Sequence, residues 1–223
     1  MPSGMKTDDN TPTGKKFGEE PMLKLYDVPI SGNCHKVRMM LSILGVAYEK
    51  IPVNLPEGEQ KTPDYLAINP LGKVPAIDDD GVVLWDSQAI LVYLATKYGS
   101  ADWYPDDAVG RGEVQKWLAL AANEMFNGTA IARALKIFNR PGDPAPHKAL
   151  AEATLAVIND WLKDRDWLAC GHPTIADIAV YPYAAMAWEG EIDLSPYPAM
   201  NAWIERVEAL PGYEGMKNMP RPA

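Results

Sequence analysis

The chain has 223 residues, of which 47% are apolar and 23% charged, a balance that supports a packed core and excludes the disordered class. Its 30 acidic and 21 basic residues leave a formal charge of -9, which excludes a general binder of nucleic acid or anionic membranes, because such partners need a basic face. The two cysteines, Cys34 and Cys170, stand in no CxxC or Cys/His spacing, so neither a disulfide framework nor a metal site is expected, and a reduced, cytoplasmic setting is.

Residues 1–21 are polar and lack an apolar h-region; they read as a disordered tail and not as a signal peptide. No run of about 18 apolar residues follows, so no membrane span is expected. From Met22 the pattern changes. MLKLYDV (22–28) alternates apolar and polar residues as a strand does. Pro29-Ile30-Ser31-Gly32-Asn33 breaks it, and Val37, Met40, Leu41 and Leu44 then form the stripe of a helix closed by Gly45. AYEKIPVNL (47–55) predicts a second strand. After a short helical stretch ending in YLAINP (65–70) come the strands VPAID (74–78) and VVLW (82–85), joined at the Asp80-Gly81 turn signal. SQAILVYLATKYG (87–99) predicts the helix that completes a mixed sheet with helices against it.

SADWYPDDAVG, ending at residue 110, is rich in Pro, Asp and Gly and predicts a linker. The rest is helical in pattern. Val114, Trp117, Leu118, Ala121 and Met125 make one stripe, Leu155, Ile158 and Leu162 a second, and Met200, Trp203, Ile204 and Val207 a third. Thr174 followed by Asp177 predicts a capping box. The expected organisation is a tail over 1–21, an α/β domain over 22–100, a linker over 101–110 and an all-α domain over 111–223.

Chemistry is expected where short polar motifs meet helix starts. Ser31-Gly32-Asn33-Cys34 lies between the first strand and the first helix. Free backbone N–H groups and the helix dipole there favour a negative charge, and a thiolate held at that point is stabilised. One charge-assisted hydrogen bond from the Ser31 hydroxyl, worth about 1.5–3 kcal/mol, makes thiolate substantial near neutral pH from an unperturbed pKa of about 8.5. The same residues also suit plain helix capping. Asn69-Pro70-Leu71-Gly72-Lys73-Val74-Pro75 places a proline at a strand start, where a cis bond presents the backbone of the preceding residue to an extended peptide. Asp86 and Ser87 put an acid and a hydroxyl at a further helix mouth, suited to a ligand ammonium and carboxylate or to N-capping.

In this order, LYDVPISGNCHKVRMMLSILG, INPLGKVPAI, VLWDSQAILVYLA and PTIADIAVYPY resemble the cytosolic glutathione S-transferase superfamily, of bacterial type with a theta- or delta-like serine pattern. The resemblance runs from about Met22 to Gly212. It implies a thioredoxin-like domain that binds glutathione as co-substrate, an all-α domain that walls the pocket of a small electrophilic substrate, and a homodimer. It implies Ser31 as the thiolate-stabilising catalytic group, with Tyr26 and Cys34 as alternatives, and Asn33 is a second catalytic candidate, suited to hydrogen-bonding the sulfur or to capping the helix. It places Val74, Pro75, Asp86 and Ser87 on glutathione, and Lys73 near the glycyl carboxylate. Gln88 stands where many relatives have Arg. Glutathione-dependent peroxide or disulfide reduction, and glutathione binding without catalysis, are the competing activities. Trp117, Met125 and Phe126 are candidates for the pocket or the core, and His35, His147 and His172 read as surface or supporting groups.

Overall fold

The computed structural model describes residues 22–216; the tail expected over 1–21 lies outside the described residues. Four strands form one mixed sheet in the order β2-β1-β3-β4. Strand β1 (Leu23–Asp27) runs parallel to β2 (Tyr48–Pro52) and antiparallel to β3 (Ala76–Asp79), which pairs in turn with β4 (Val82–Trp85). The alternation read from the sequence has a physical use. Leu23, Leu25 and Asp27 are buried on one face of β1, and Leu25 is opposite Ile77 in the core. Gly81 turns the β3–β4 hairpin with φ 86°, a conformation that glycine adopts without strain.

Helix α1 (Gly32–Ile43) connects β1 to β2, α2 (Pro63–Ile68) precedes β3, and α3 (Ser87–Tyr98) follows β4. The expected order of elements is therefore present. Beyond it the chain is helical: α4 (Ala108–Ala122), a π-helical turn at Phe126–Ala130, α5 (Ile131–Ile137), α6 (Ala145–Leu162), α7 (Ile175–Ala185) and α8 (Pro198–Glu208). Helix α4 starts inside the stretch read as linker, because Asp107 caps it by accepting from the Val109 and Gly110 N–H groups.

Every residue of α7 is buried, and the helix packs against α1, α3, α4 and α8. Its capping box is formed, with Asp177 accepting from the Thr174 N–H at 2.9 Å. Asp177 also accepts from Leu168 N–H at 3.1 Å and from Trp203 Nε1 at 2.9 Å, which pins α7 to α8. Burial raises this carboxyl to about 6, against the opposing pull of these hydrogen bonds. The three apolar stripes of the helical half are buried as their spacing predicts. Among the described residues no helix is long and apolar enough to cross a membrane.

Candidate active site

The loop from Val28 to Ser31 is held from two sides. Arg38 of α1 forms a buried ion pair with Asp27 at the end of β1, and its Nη2 donates to the Pro29 carbonyl at 2.9 Å. From the helical half, Arg133 pairs with buried Glu189 and donates from Nη1 to the Ile30 carbonyl at 3.1 Å. Losing one partner of such a pair leaves a buried charge uncompensated at a cost of about 3–5 kcal/mol, so each guanidinium has a fixed place from which to grip the loop. The Ser31 N–H donates to the Val28 carbonyl at 3.0 Å, closing the turn.

Ser31 is the N-cap of α1. Its Oγ accepts from the Cys34 N–H at 3.2 Å, and the hydroxyl hydrogen, a rotor that turns to suit its acceptor, has the Cys34 sulfur within reach. Cys34 is wholly buried beneath it. Burial pushes the thiol up to about 12, outweighing hydrogen bonds that include one from Ser31, so the sulfur is protonated and walled off from solvent. Gly32 is required where it stands, since a Cβ there would meet Tyr183 ring atoms at 2.8 Å. The close approach brings Tyr183 of α7 against the start of α1, next to the Asn33 backbone.

Two cavities meet at this corner. The polar one, about 140 Å³, is lined by Asn33, Lys73, Val74, Pro75, Asp86 and Ser87 among others. Ser87 is buried, and its Oγ donates to Asn33 Oδ1 at 3.4 Å and contacts Gln88 Oε1. Asp86 caps α3 by accepting from the Gln88 and Ala89 N–H groups at 2.9 and 3.2 Å, in a backbone conformation with φ 77° that is uncommon outside glycine. The Val74–Pro75 bond is cis. Lys73 is exposed, with Nζ 5.7 Å from the Phe126 ring centre, and its carbonyl accepts from Tyr65 OH and Asn69 Nδ2.

The apolar cavity is larger, about 440 Å³, and lies between the sheet half and the helical half, with Ser31, Val74, Phe126, Ala134, Phe138 and Tyr183 in its walls. Val74 and Phe126 line both spaces. Phe126 begins the π-helical turn, a distortion that often accompanies functional sites. Trp117 and Met125 are core residues.

The structure thus brings Asn33, Lys73, Val74, Pro75, Asp86 and Ser87 to one cavity and Ser31 to the edge of the other. Tyr26 is not among them; it is half-buried in β1 with its ring edge-on to Tyr65 at 5.9 Å. His35 corrects the surface reading. It is 2% exposed, with Nε2 2.7 Å from the Glu214 carbonyl, and burial lowers it to about 4. Tyr183, Arg133 and the fully buried Lys36 escaped the sequence reading. Gly32 was the available signal for Tyr183, because a glycine in a helix's first turn announces a close neighbour.

A thioredoxin-like half carrying a capped hydroxyl beside a polar cleft, joined to a helical half that closes an apolar one, defines a two-substrate thiol-handling architecture. The family model for the glutathione S-transferase N-terminal domain matches residues 30–97, and that for the C-terminal domain matches residues 143–211. Glutathione S-transferase D7 of Anopheles gambiae is 34% identical over 189 residues, 82% of this chain and 84% of that protein. A crystal structure of glutathione S-transferase from Pseudomonas fluorescens matches with TM-score 0.83 and 32% identity over 88% of this chain and 100% of that one. A glutathione transferase homologue from Drosophila mojavensis, solved with bound glutathione, matches with TM-score 0.77 and 28% identity over 85% of this chain and 89% of that one. The chain belongs to the glutathione S-transferase family, and it is an enzyme of that family.

Proposed function

We propose that the protein binds glutathione in the polar cavity, activates its thiol with the Ser31 hydroxyl, and directs the thiolate at a small electrophile held in the apolar cavity. One observation supports this reading: Ser31, with a rotatable hydroxyl, lines the apolar cavity, which shares Val74 and Phe126 with the polar one. A thiol near Val74 would accept from Ser31 Oγ–H as it ionises, and the new bond would form toward the apolar side. Asp86 suits the ligand's ammonium, Ser87 with Asn33 its γ-glutamyl carboxylate, and Lys73 its glycyl carboxylate. Buried, protonated Cys34 supplies no nucleophile, so the sulfur that reacts is the ligand's own.

Residues 22–100 would form the glutathione-binding domain and 111–223 the electrophile-binding domain, joined by 101–110, in a cytoplasmic homodimer. The exposed apolar residues Val82, Val83 and Trp85 of β4 suit a subunit contact. Titrating glutathione while following thiolate absorbance near neutral pH tests the reading, with parallel assays on an aryl halide, a hydroperoxide and a mixed disulfide. Thiolate signal with aryl-halide turnover is the expected result. Turnover of only the peroxide or the disulfide would move the activity to reduction, and absence of any signal would leave a binding module.

A further inference from the structure

Lys36 is wholly buried on α1, and its Nζ has no hydrogen-bond partner. Lysine almost never occupies such a place unpaired, because the ammonium surrenders its water and receives nothing in return. Its surroundings are specific. The Nζ lies 5.3 Å from the centre of the Tyr183 ring, and Asp86 is the charged group that acts on it. Lys36 follows Gly32 and Asn33 by one helical turn, and helical side chains lean back toward the N-terminus. Lys36 thus shares a helical turn with Asn33, whose Oδ1 accepts from Ser87 in the wall of the polar cavity. Gln88, which contacts Ser87 and also lines the cavity, carries no charge, and Lys73 sits elsewhere in the cavity, over Phe126.

We propose that Lys36 is a positioning residue for the polar cavity, whose buried ammonium supplies, from behind Asn33 and Ser87, the positive charge that the α-carboxylate of a γ-glutamyl ligand meets there. The inference rests on the reading of this cavity as the glutathione site. A cation recessed behind neutral hydrogen-bonding groups acts through space in a medium of low polarity, where charges act more strongly than in water. It also leaves the direct contacts to Ser87 and Asn33, so charge and geometry come from different residues.

Burial lowers Lys36 to about 7, and Asp86 opposes that shift. A bound carboxylate adds to the effect of Asp86 and favours the ammonium, so ligand binding takes up a proton. The sign follows: affinity is highest below about 7 and falls as pH rises through the value of the free protein. The other groups around it do not titrate in this range. Tyr183 of α7 and Cys34 of α1 are each pushed up to about 12 and His35 is lowered to about 4. Arg38 is tied to Asp27, and Tyr181 of α7 faces His35. On α3, Tyr93, Lys97 and Tyr98 are gathered on Asp79, at the other end of the helix from Asp86.

The test is calorimetry with S-methylglutathione, which keeps the γ-glutamyl end and removes the thiol titration, in two buffers of different ionisation enthalpy at pH 7.5. Wild type is compared with Lys36→Met, which keeps the length of the side chain and removes its charge. A shift of one pKa unit on binding corresponds to about half a proton taken up at pH 7.5, and to affinity that weakens about fivefold between pH 6 and 8. Lys36→Met is expected to lose that proton and that slope and to bind about tenfold more weakly at pH 6, while melting no lower than wild type. Any proton taken up by the ligand's own amine is common to both proteins and cancels in the comparison. Should Lys36→Met fail to fold, Lys36→Leu serves the same comparison. Equal uptake and equal affinity in wild type and variant would overturn the role of Lys36 and leave the glutathione site standing. No binding of S-methylglutathione to wild type would overturn both.

Discussion

The polar and apolar cavities share two residues and differ in almost everything else. Most of the polar one comes from two short sequence runs, Asn69 to Pro75 and Trp85 to Gln88, each ending a turn or opening a helix. The apolar one draws on Val28 to Gly32, Leu55, Pro56, the π-helical turn, α5 and Tyr183 of α7, which are far apart in the chain. The first offers a ligand backbone geometry, helix caps and charged side chains. The second offers mainly apolar walls. A conserved reagent suits the first construction, because its contacts are set locally and resist drift. A variable electrophile suits the second, whose walls can change without disturbing a cap or a sheet.

The largest effect should come from the corner where the two adjoin. Ser31→Ala is expected to raise the pKa of bound glutathione by about one to two units and to lower activity near neutral pH by about 10- to 100-fold, with glutathione still bound. The pH profile of kcat/KM, with thiolate absorbance beside it, reads this out. Loss of the N-cap costs about 1 kcal/mol as well, and that appears in the melting temperature and not in the thiol titration. An unshifted profile would take Ser31 out of the chemistry.

Asp86→Asn isolates the polar cavity. Asn keeps the cap on α3 and tolerates positive φ, so only the charge is removed. The KM for glutathione should rise about tenfold with kcat little changed, the signature of lost ground-state binding. If kcat fell and KM stayed constant, the division between the two cavities would be broken, because Asp86 would be acting on the reacting sulfur.

A smaller effect of opposite distribution is expected from Ala134→Phe, which fills part of the apolar space. The KM for the electrophile should rise by roughly threefold to tenfold for bulky substrates and less for compact ones, with glutathione affinity unchanged. Steady-state kinetics with an electrophile series checks it. Equal losses for glutathione and electrophile would show that the cavities act as one. The smallest effect is assigned to Tyr26→Phe, whose ring lies against Tyr65 away from both cavities; its pH profile should coincide with wild type. A shifted profile there would transfer the role of Ser31 to the tyrosine.

Most of the polar cavity was legible in the sequence. Asp86 and Ser87 there, like Ser31 in the wall of the apolar cavity, stand at helix starts, and caps, turns and apolar stripes are coded within one turn of helix. Cys34 shows the inner side of one such start, where a buried thiol is the reading the sequence favours. Three positions after Ser31 it shares the same helix start, yet its sulfur points inward and is protonated. His35, read as a surface or supporting group, and Lys36, which drew no reading, are both buried with α7 packed against α1.

Taken alone, the sequence determined the order of strands and helices, the positions of the caps, and the family, because each is written in residues close to one another along the chain. Only the tertiary structure decided that Arg133 would grip the Ile30 carbonyl, that Tyr183 would close on Gly32, that Phe126 would be shared between two cavities, and that the Lys36 ammonium would be buried over the Tyr183 ring without a hydrogen-bond partner. Those placements depend on which helix face meets which, and periodicity fixes a face without naming its partner.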